Sequence, residues 1–205
     1  MKIIDLTHPV IHWNLQREDK RLKSPGTEYT GVVYRLSLDS ADTSYLDLPG
    51  HIRETDDGRH AANTGLSEFY RKRATLLRPE HRPDGAVTRE LLERAASGKT
   101  LHPVMILHAL GETDDADIPL RNIYLTSDAV EWFAEKRCRC IIGDAWESVR
   151  LDGVFLRLFR AGISCVCHVV NLRELPENKE FFVSVVFLPY PGVTQIPCRV
   201  FAEVE

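Results

Sequence analysis

Within the nine residues from Thr43 to His51 the chain gathers two small hydroxyls, a tyrosine, an aspartate and a histidine. An aspartate that orients a histidine makes a general base that works near neutral pH. Asp47 and His51 are four apart, across Pro49 and Gly50. Tyr45 and Asp47 are two apart and share a face wherever the backbone is extended. Tyr45, Asp47 and His51 together can move protons in an isomerisation, a cyclisation or a dehydration. The competing reading is a polar loop in which Asp47 caps the turn and His51 bonds the backbone.

The elements around this stretch set where it sits. Pro49 forbids a continuing helix and pushes Leu48 towards extended backbone. Gly50 permits a sharp turn. An alternating run from Tyr29 to Leu38 predicts the strand that delivers the stretch, and the charged residues Arg53, Glu54, Asp56 and Asp57 follow it as a loop. The side chains are therefore expected where a strand leaves a sheet, facing a pocket.

Elsewhere Lys2 to Leu6 reads as a first strand. Val10 to Gly26 has no clear period and reads as a long loop; its Trp13 either covers a pocket or anchors the loop on the core. Leu66 to Arg71 predicts a helical turn or two, and Ala74 to Leu77 a short strand. Thr88 caps a helix running to about Ala96 and ended by Gly98. Pro103 to His108 is a buried strand, and Gly111 to Asp117 a solvated acidic loop without the spacing of a calcium site. Thr126 or Ser127 caps a helix over 128–136, with Ala129, Val130, Phe133 and Ala134 at helical spacing. Cys138 to Ile142 is a strand, Asp152 caps a helix to Arg160 closed by Gly162, and Ile163 to Val170 is another buried strand. Phe181 to Leu188 and Ile196 to Val204 form two more, separated by the turn residues from Pro189 to Gly192. The pattern is that of an α/β or α+β protein with one domain over 1–205.

With 205 residues, 43% hydrophobic and 27% charged, the chain can bury a real core. A net charge of −4 without a Lys/Arg cluster argues against nucleic acid. No apolar run can span a bilayer and no signal segment precedes Lys2, so a cytoplasmic protein is expected. The five cysteines, Cys138, Cys140, Cys165, Cys167 and Cys198, sit in apolar runs and read as buried thiols in a reducing compartment. Each C-x-C pair in a strand would face one side.

Several segments together resemble the cyclase family, whose best-known members are the bacterial kynurenine formamidases (arylformamidases). Ile4 to Pro9 (I-D-L-T-H-P) looks like that family's D-L-[ST]-H-P-I. Ala41 to His51 lies where it has H-x-G-T-H-x-D-x-P-x-H. Leu125 to Trp132 and Ile142 to Asp144 are similar to its L-S-x-x-A-A-x-W-L and G-x-D. Arg160 to Ile163 with Asn171 to Leu175 resemble its A-G-I and N-L-x-x-L, and Pro197 to Val200 its P-x-R. The resemblance implies the family's β/β/α fold and a homodimer or higher homo-oligomer. It also implies hydrolysis of a small carbonyl substrate of the amide, lactam or lactone type.

The departures fall on the metal site. In the family two histidines, an aspartate, a later histidine and a glutamate hold two metals, and the last histidine of the first motif is the acid/base. Those ligand positions map to Ala41, Tyr45, Asp47, Phe155 and Cys167, and the acid/base to His51. Asp47 alone cannot hold zinc, which wants three protein ligands. No cofactor is expected, and zinc or manganese enters only if other ligands such as His8, His60, His108 or His168 rebuild the site. His168 follows Cys167 and, on a strand, would face the other way. The resulting expectation is a smaller, drier cavity. Asp47 would bond a neutral donor or His51 there, with Tyr45, Phe155 and Cys167 around it and Trp13 or its loop closing it. The site then serves either a divergent enzyme using His51, Asp47 and Tyr45, or a silent scaffold binding a small ligand or a partner subunit.

Overall fold

The structure is a computed structural model that describes residues 1–10, 12–111, 121–177 and 179–204. Its strands are β1 (Lys2–Asp5), β2 (Asn14–Ser24), β3 (Thr27–Ser37), β4 (Tyr45–Asp47), β5 (Lys72–Leu77), β6 (Ala86–Val87), β7 (Val104–Leu107), β8 (Tyr124–Leu125), β9 (Cys140–Gly143), β10 (Ser164–Cys167), β11 (Phe181–Phe187) and β12 (Gln195–Val204). Its helices are α1 (Arg89–Ala96), α2 (Ser127–Glu135) and α3 (Val154–Arg160).

One sheet dominates and closes on itself. Its order runs β12, β11, β5, β7, β9, β10, β4, and β4 pairs back onto β12. The result is a mixed α+β barrel of seven strands. Strands β5, β7, β9 and β10 are parallel, and α1, α2 and α3 supply the crossovers between them. Closure depends on β12, ten residues long. One edge carries β11; the other carries β4 at Gln195 to Pro197 and β1 at Phe201 to Val204. The Leu6 N–H reaches Val200 O, and Leu6 O accepts from the Val170 N–H, so the continuation of β1 seals the gap.

Strand alternation sorts the apolar residues into two layers. Leu46, Val104, Ile106, Ile142, Val166, Ile196 and Val200 fill the barrel interior. Met105, Leu107, Ile141, Cys165 and Cys167 point outward and pack against Leu92 of α1, Val130 and Phe133 of α2 and Leu158 and Phe159 of α3. The helices form where the sequence predicts. The Thr88 side chain accepts from the Leu91 N–H at the start of α1, and Gly98 takes φ +74° beyond its end.

Four expectations are corrected. The segment Val10 to Gly26 is mostly a strand: β2 pairs with β3 along its whole length in a long hairpin. Pro25 and Gly26 (φ +79°) make its two-residue corner. Neither face of this ribbon is buried, and β2 carries no alternation that would mark it as a strand. The strand over 29–38 belongs to this arm and not to the barrel. Helix α3 is entered through Gly153 at φ +80°; Asp152 instead accepts a hydrogen bond from the Ser148 hydroxyl at 2.8 Å. Cys138 and Cys140 do not share a face, because β9 begins only at Cys140. Cys138 lies in the outer layer and Cys140 in the interior. Most of the acidic loop from Gly111 to Asp117 lies outside the described residues.

Candidate functional site

Three residues of β4 carry the site. β4 is wedged between β10 and β12: Tyr45 lies opposite Cys167 and Pro197, and Asp47 opposite Cys165 and Gln195. Leu46 points into the barrel and is fully buried. Tyr45 and Asp47 therefore share the outer face with Cys165 and Cys167, under α3. A tight 3₁₀ turn over Pro49–His51 follows, closed by the His51 N–H on Leu48 O at 2.9 Å. Glycine fits closely there, since a Cβ at position 50 would stand 2.9 Å from the side-chain atoms Asp56 Oδ1 and Thr194 Cγ2. The turn swings His51 back over the strand it has just left.

The Asp47 side chain is only 3% exposed, and His51 Nδ1 lies 3.9 Å from its Oδ1. That oxygen has no hydrogen-bond partner. Burial pushes the Asp47 carboxyl up to about 7, with the Gln195 amide pulling it partly back. Burial also lowers the His51 pKa. Tyr45 is driven far above its ordinary range by burial and by Cys167 facing it, and burial raises the Cys165 and Cys167 thiols well above theirs. Near neutral pH the site thus holds a neutral phenol, neutral thiols and a carboxyl at its titration midpoint.

Two groups complete the histidine's surroundings, and neither carries a sequence signal. The Gln195 Oε1 accepts from the Ser40 hydroxyl, which leaves Nε2 of that amide 3.3 Å from His51 Nε2. An amide nitrogen can only donate, so His51 Nε2 accepts and the ring proton sits on Nδ1, facing Asp47. Gln195 is placed by the register of β12, a pairing between residues 148 apart that no local motif encodes. On the other side, Phe159 stands edge-on to His51 with ring centres 6.4 Å apart.

Phe155 and Cys167 both belong to this outer layer with Tyr45. Phe155 stacks on Trp146, and Glu147 Oε1 accepts the Phe155 N–H at 3.3 Å. Trp13 is not brought to the group: it lies before β2 at the foot of the arm, 57% exposed. His168 corrects the alternation reading. Its φ of +52° takes it off the strand, so its ring packs edge-on against Tyr45 at 5.2 Å while Nδ1 faces Ala41 O at 3.1 Å.

The family model described as "Putative cyclase" matches residues 4–148. The chain belongs to the cyclase family. Solved structures with the cyclase fold match along nearly all of it. One described as a novel cyclase has a TM-score of 0.72 at 19% identity, covering 100% of this chain and 88% of that one. Isatin hydrolase A from Labrenzia aggregata, bound to benzyl benzoate, gives 0.71 at 16%, covering 99% and 93%. A potential metal-dependent hydrolase with cyclase activity gives 0.68 at 18%, covering 98% of each chain. No curated protein matches the chain in sequence.

The cyclase two-metal site does not fit the residues this chain provides. Ala41 offers only its carbonyl, already turned to His168. Phe155 has no donor atom and is stacked on Trp146. Cys167 is a buried thiol whose ionisation burial opposes. Among the described residues no group of three or more His, Cys, Asp or Glu is placed to hold a metal ion.

Proposed function

We propose that this cyclase-family protein acts on a small carbonyl substrate of the amide, lactam or lactone type. His51 serves as its acid/base, and no step runs through the family's metal pair. The observation that carries this is His51 itself, with Nδ1 3.9 Å from buried Asp47, Nε2 against the Gln195 amide and its side chain 40% exposed. A substrate or water displaces the 3.3 Å contact from Gln195 and presents its proton to Nε2. As the imidazole takes that proton, ionised Asp47 offsets the new charge from 3.9 Å away. The Tyr45 phenol stays protonated and remains a hydrogen-bond donor. The neighbours named as isatin hydrolases support a hydrolytic reading. The five free, buried cysteines fit a reducing cytoplasm, and self-association fits the family.

A second reading is favoured by the Trp146–Phe155 stack, which occupies a former ligand position with packed rings. In it the chain is a silent scaffold that binds a small ligand or a partner subunit. One assay separates the readings: a panel of small amides, lactams and lactones, with chelator or with added zinc, against wild type and His51→Ala. Turnover in chelator that falls about 100-fold or more in His51→Ala is expected. Turnover only with zinc would indicate a metal site rebuilt from other ligands, and no turnover at all would favour the scaffold.

A further inference from the structure

Ser40 sits on a turn built to hold it. With Ala41 it forms the centre of a four-residue turn between β3 and β4. The Asp42 N–H donates to Asp39 O at 3.1 Å, and the Asp39 N–H donates to Asp42 Oδ2 at 2.7 Å, so the turn is closed twice. Ala41 O is tied as well, to His168 Nδ1 at 3.1 Å. From this frame the Ser40 hydroxyl crosses to β12 and donates to Gln195 Oε1. The nitrogen end of the same amide lies between two acceptors. Gln195 stands opposite Asp47 in the register of β4 and β12 and bonds its carboxyl, and Gln195 Nε2 is 3.3 Å from His51 Nε2. An amide has one acceptor end and one donor end, so a donor placed on Oε1 fixes where the N–H groups point. Turned the other way, Gln195 would offer its oxygen to His51. The imidazole would then carry its proton on Nε2 and keep no lone pair there for a substrate.

We propose that Ser40 is a positioning residue: through the Gln195 amide it holds His51 in the tautomer protonated at Nδ1, and the amide N–H so aimed orients the attacking water. This rests on the reading of His51 as acid/base. A water entering between the two nitrogens accepts from the Gln195 N–H and donates to His51 Nε2. With bonds of about 2.9 Å and a tetrahedral oxygen it spreads them from 3.3 Å to about 4.7 Å, room that a side chain 40% exposed can give. One lone pair of that water is then left for the substrate. It attacks the carbonyl carbon, the π electrons move to the carbonyl oxygen, and the water's proton passes to His51 Nε2. Collapse of the tetrahedral intermediate expels the amine or alcohol, which takes that proton from the imidazolium. Gln195 and Ser40 exchange no proton in the cycle.

Two readouts on the full chain test this, for wild type, Ser40→Ala, Ser40→Thr and Gln195→Glu. One is the imidazole nitrogen spectrum at about pH 8. The other is turnover of small amides, lactams and lactones in chelator. Wild type should show one neutral tautomer, protonated at Nδ1. Ser40→Ala releases the amide and should bring in the form protonated at Nε2, with kcat about 10-fold lower and KM little changed. Ser40→Thr keeps the hydroxyl and should restore both. Gln195→Glu replaces the donor with an acceptor at nearly constant shape; it should invert the tautomer and lower kcat about 100-fold. A His51 spectrum identical in all four proteins overturns the proposal, as does a Ser40→Ala enzyme with wild-type kcat. Spectra that stay put in an active wild type and its variants sink the role of Ser40 and leave His51 as acid/base standing. Spectra that move as expected in a protein without turnover sink the acid/base reading, and the water-orienting role with it.

Discussion

Phe155 lies almost parallel to Trp146, with ring centres 5.3 Å and planes 24° apart. The stack belongs to the same outer apolar layer as Tyr45 and Cys167, and Phe159 extends it at 5.8 Å. Replacing Phe155 by His therefore removes packed aromatic surface before it supplies a ligand. The variant should lose about 3 kcal/mol of stability, read as a lower midpoint in urea at unchanged slope.

Restoring the family pattern with Ala41→His, Tyr45→His, Phe155→His and Cys167→Glu around Asp47 should create affinity for zinc, measured by equilibrium dialysis of the folded variant. β4 and β10 supply a paired backbone for three of these five positions, with Tyr45 opposite Cys167 and Asp47 opposite Cys165. A folded quadruple variant that ignores zinc would mean that the site has shifted beyond its side chains.

Asp47 gives the protein an unusual dependence on pH. A carboxyl whose ordinary pKa is 3.8 is held near 7 by burial. Between those values the folded chain keeps a proton that the unfolded chain has lost. The contribution of Asp47 to stability is full below about pH 4 and falls as pH rises to about 7, by something on the order of 4 kcal/mol. Asp47→Asn should abolish that fall, matching wild type near pH 4 and exceeding it near pH 8 in urea titrations. His51 adds a slope of opposite sign, since its lowered pKa costs stability as pH drops through its ordinary range, and the lowered carboxyls of Asp5, Asp128 and Glu177 act in the same sense at lower pH.

Gln195→Leu keeps the bulk beside Asp47 but removes the amide that faces His51 Nε2 and opposes the rise in the Asp47 pKa. The expected result is a higher Asp47 pKa and a His51 ring free to change tautomer. Nitrogen chemical shifts of the imidazole across pH 5 to 8 would register both. Unchanged shifts would show that the contact has no hold on the ring.

Gly50→Ala should destabilise by about 1–3 kcal/mol, because its new methyl meets Thr194 Cγ2 and Asp56 Oδ1 at 2.9 Å. Thermal melts of the variant alone and with Thr194→Ser would separate that clash from any other cause: the second substitution should recover part of the loss.

Much of the barrel was legible locally. Apolar tetrads such as Val104–Leu107 and Cys140–Gly143 are buried on both faces and read as continuous runs, and α1 and α2 announce themselves through caps and period. The spacing of Tyr45, Asp47 and His51 across a proline turn permitted their meeting without establishing it, and β4 itself was not marked as the strand that carries them. The rest depended on partners far away in the chain. Gln195 and Ser40 meet only because β12 pairs with β4. His168 reaches Tyr45 only because its backbone turns left-handed, which no neighbouring residue foretells. Only half of the arm was legible: the alternation over 29–38 marked β3 as a strand, whereas β2, with neither face buried, shows no period and read as a loop.

The seam at β12 also bears on how the molecule comes into being. A chain emerging from the ribosome through Leu188 has made β4 and β10, yet the far flank of β4 waits for Gln195 to Pro197 and β1 waits for Phe201 to Val204. These pairings span roughly the whole sequence, the kind that forms late and slowly. Until they form, Asp47 stands on an open edge in contact with water and ionises like any other aspartate. Its displaced titration is thus a reporter of the last event in assembly, and the nascent protein keeps ordinary acid–base behaviour until its ring has shut.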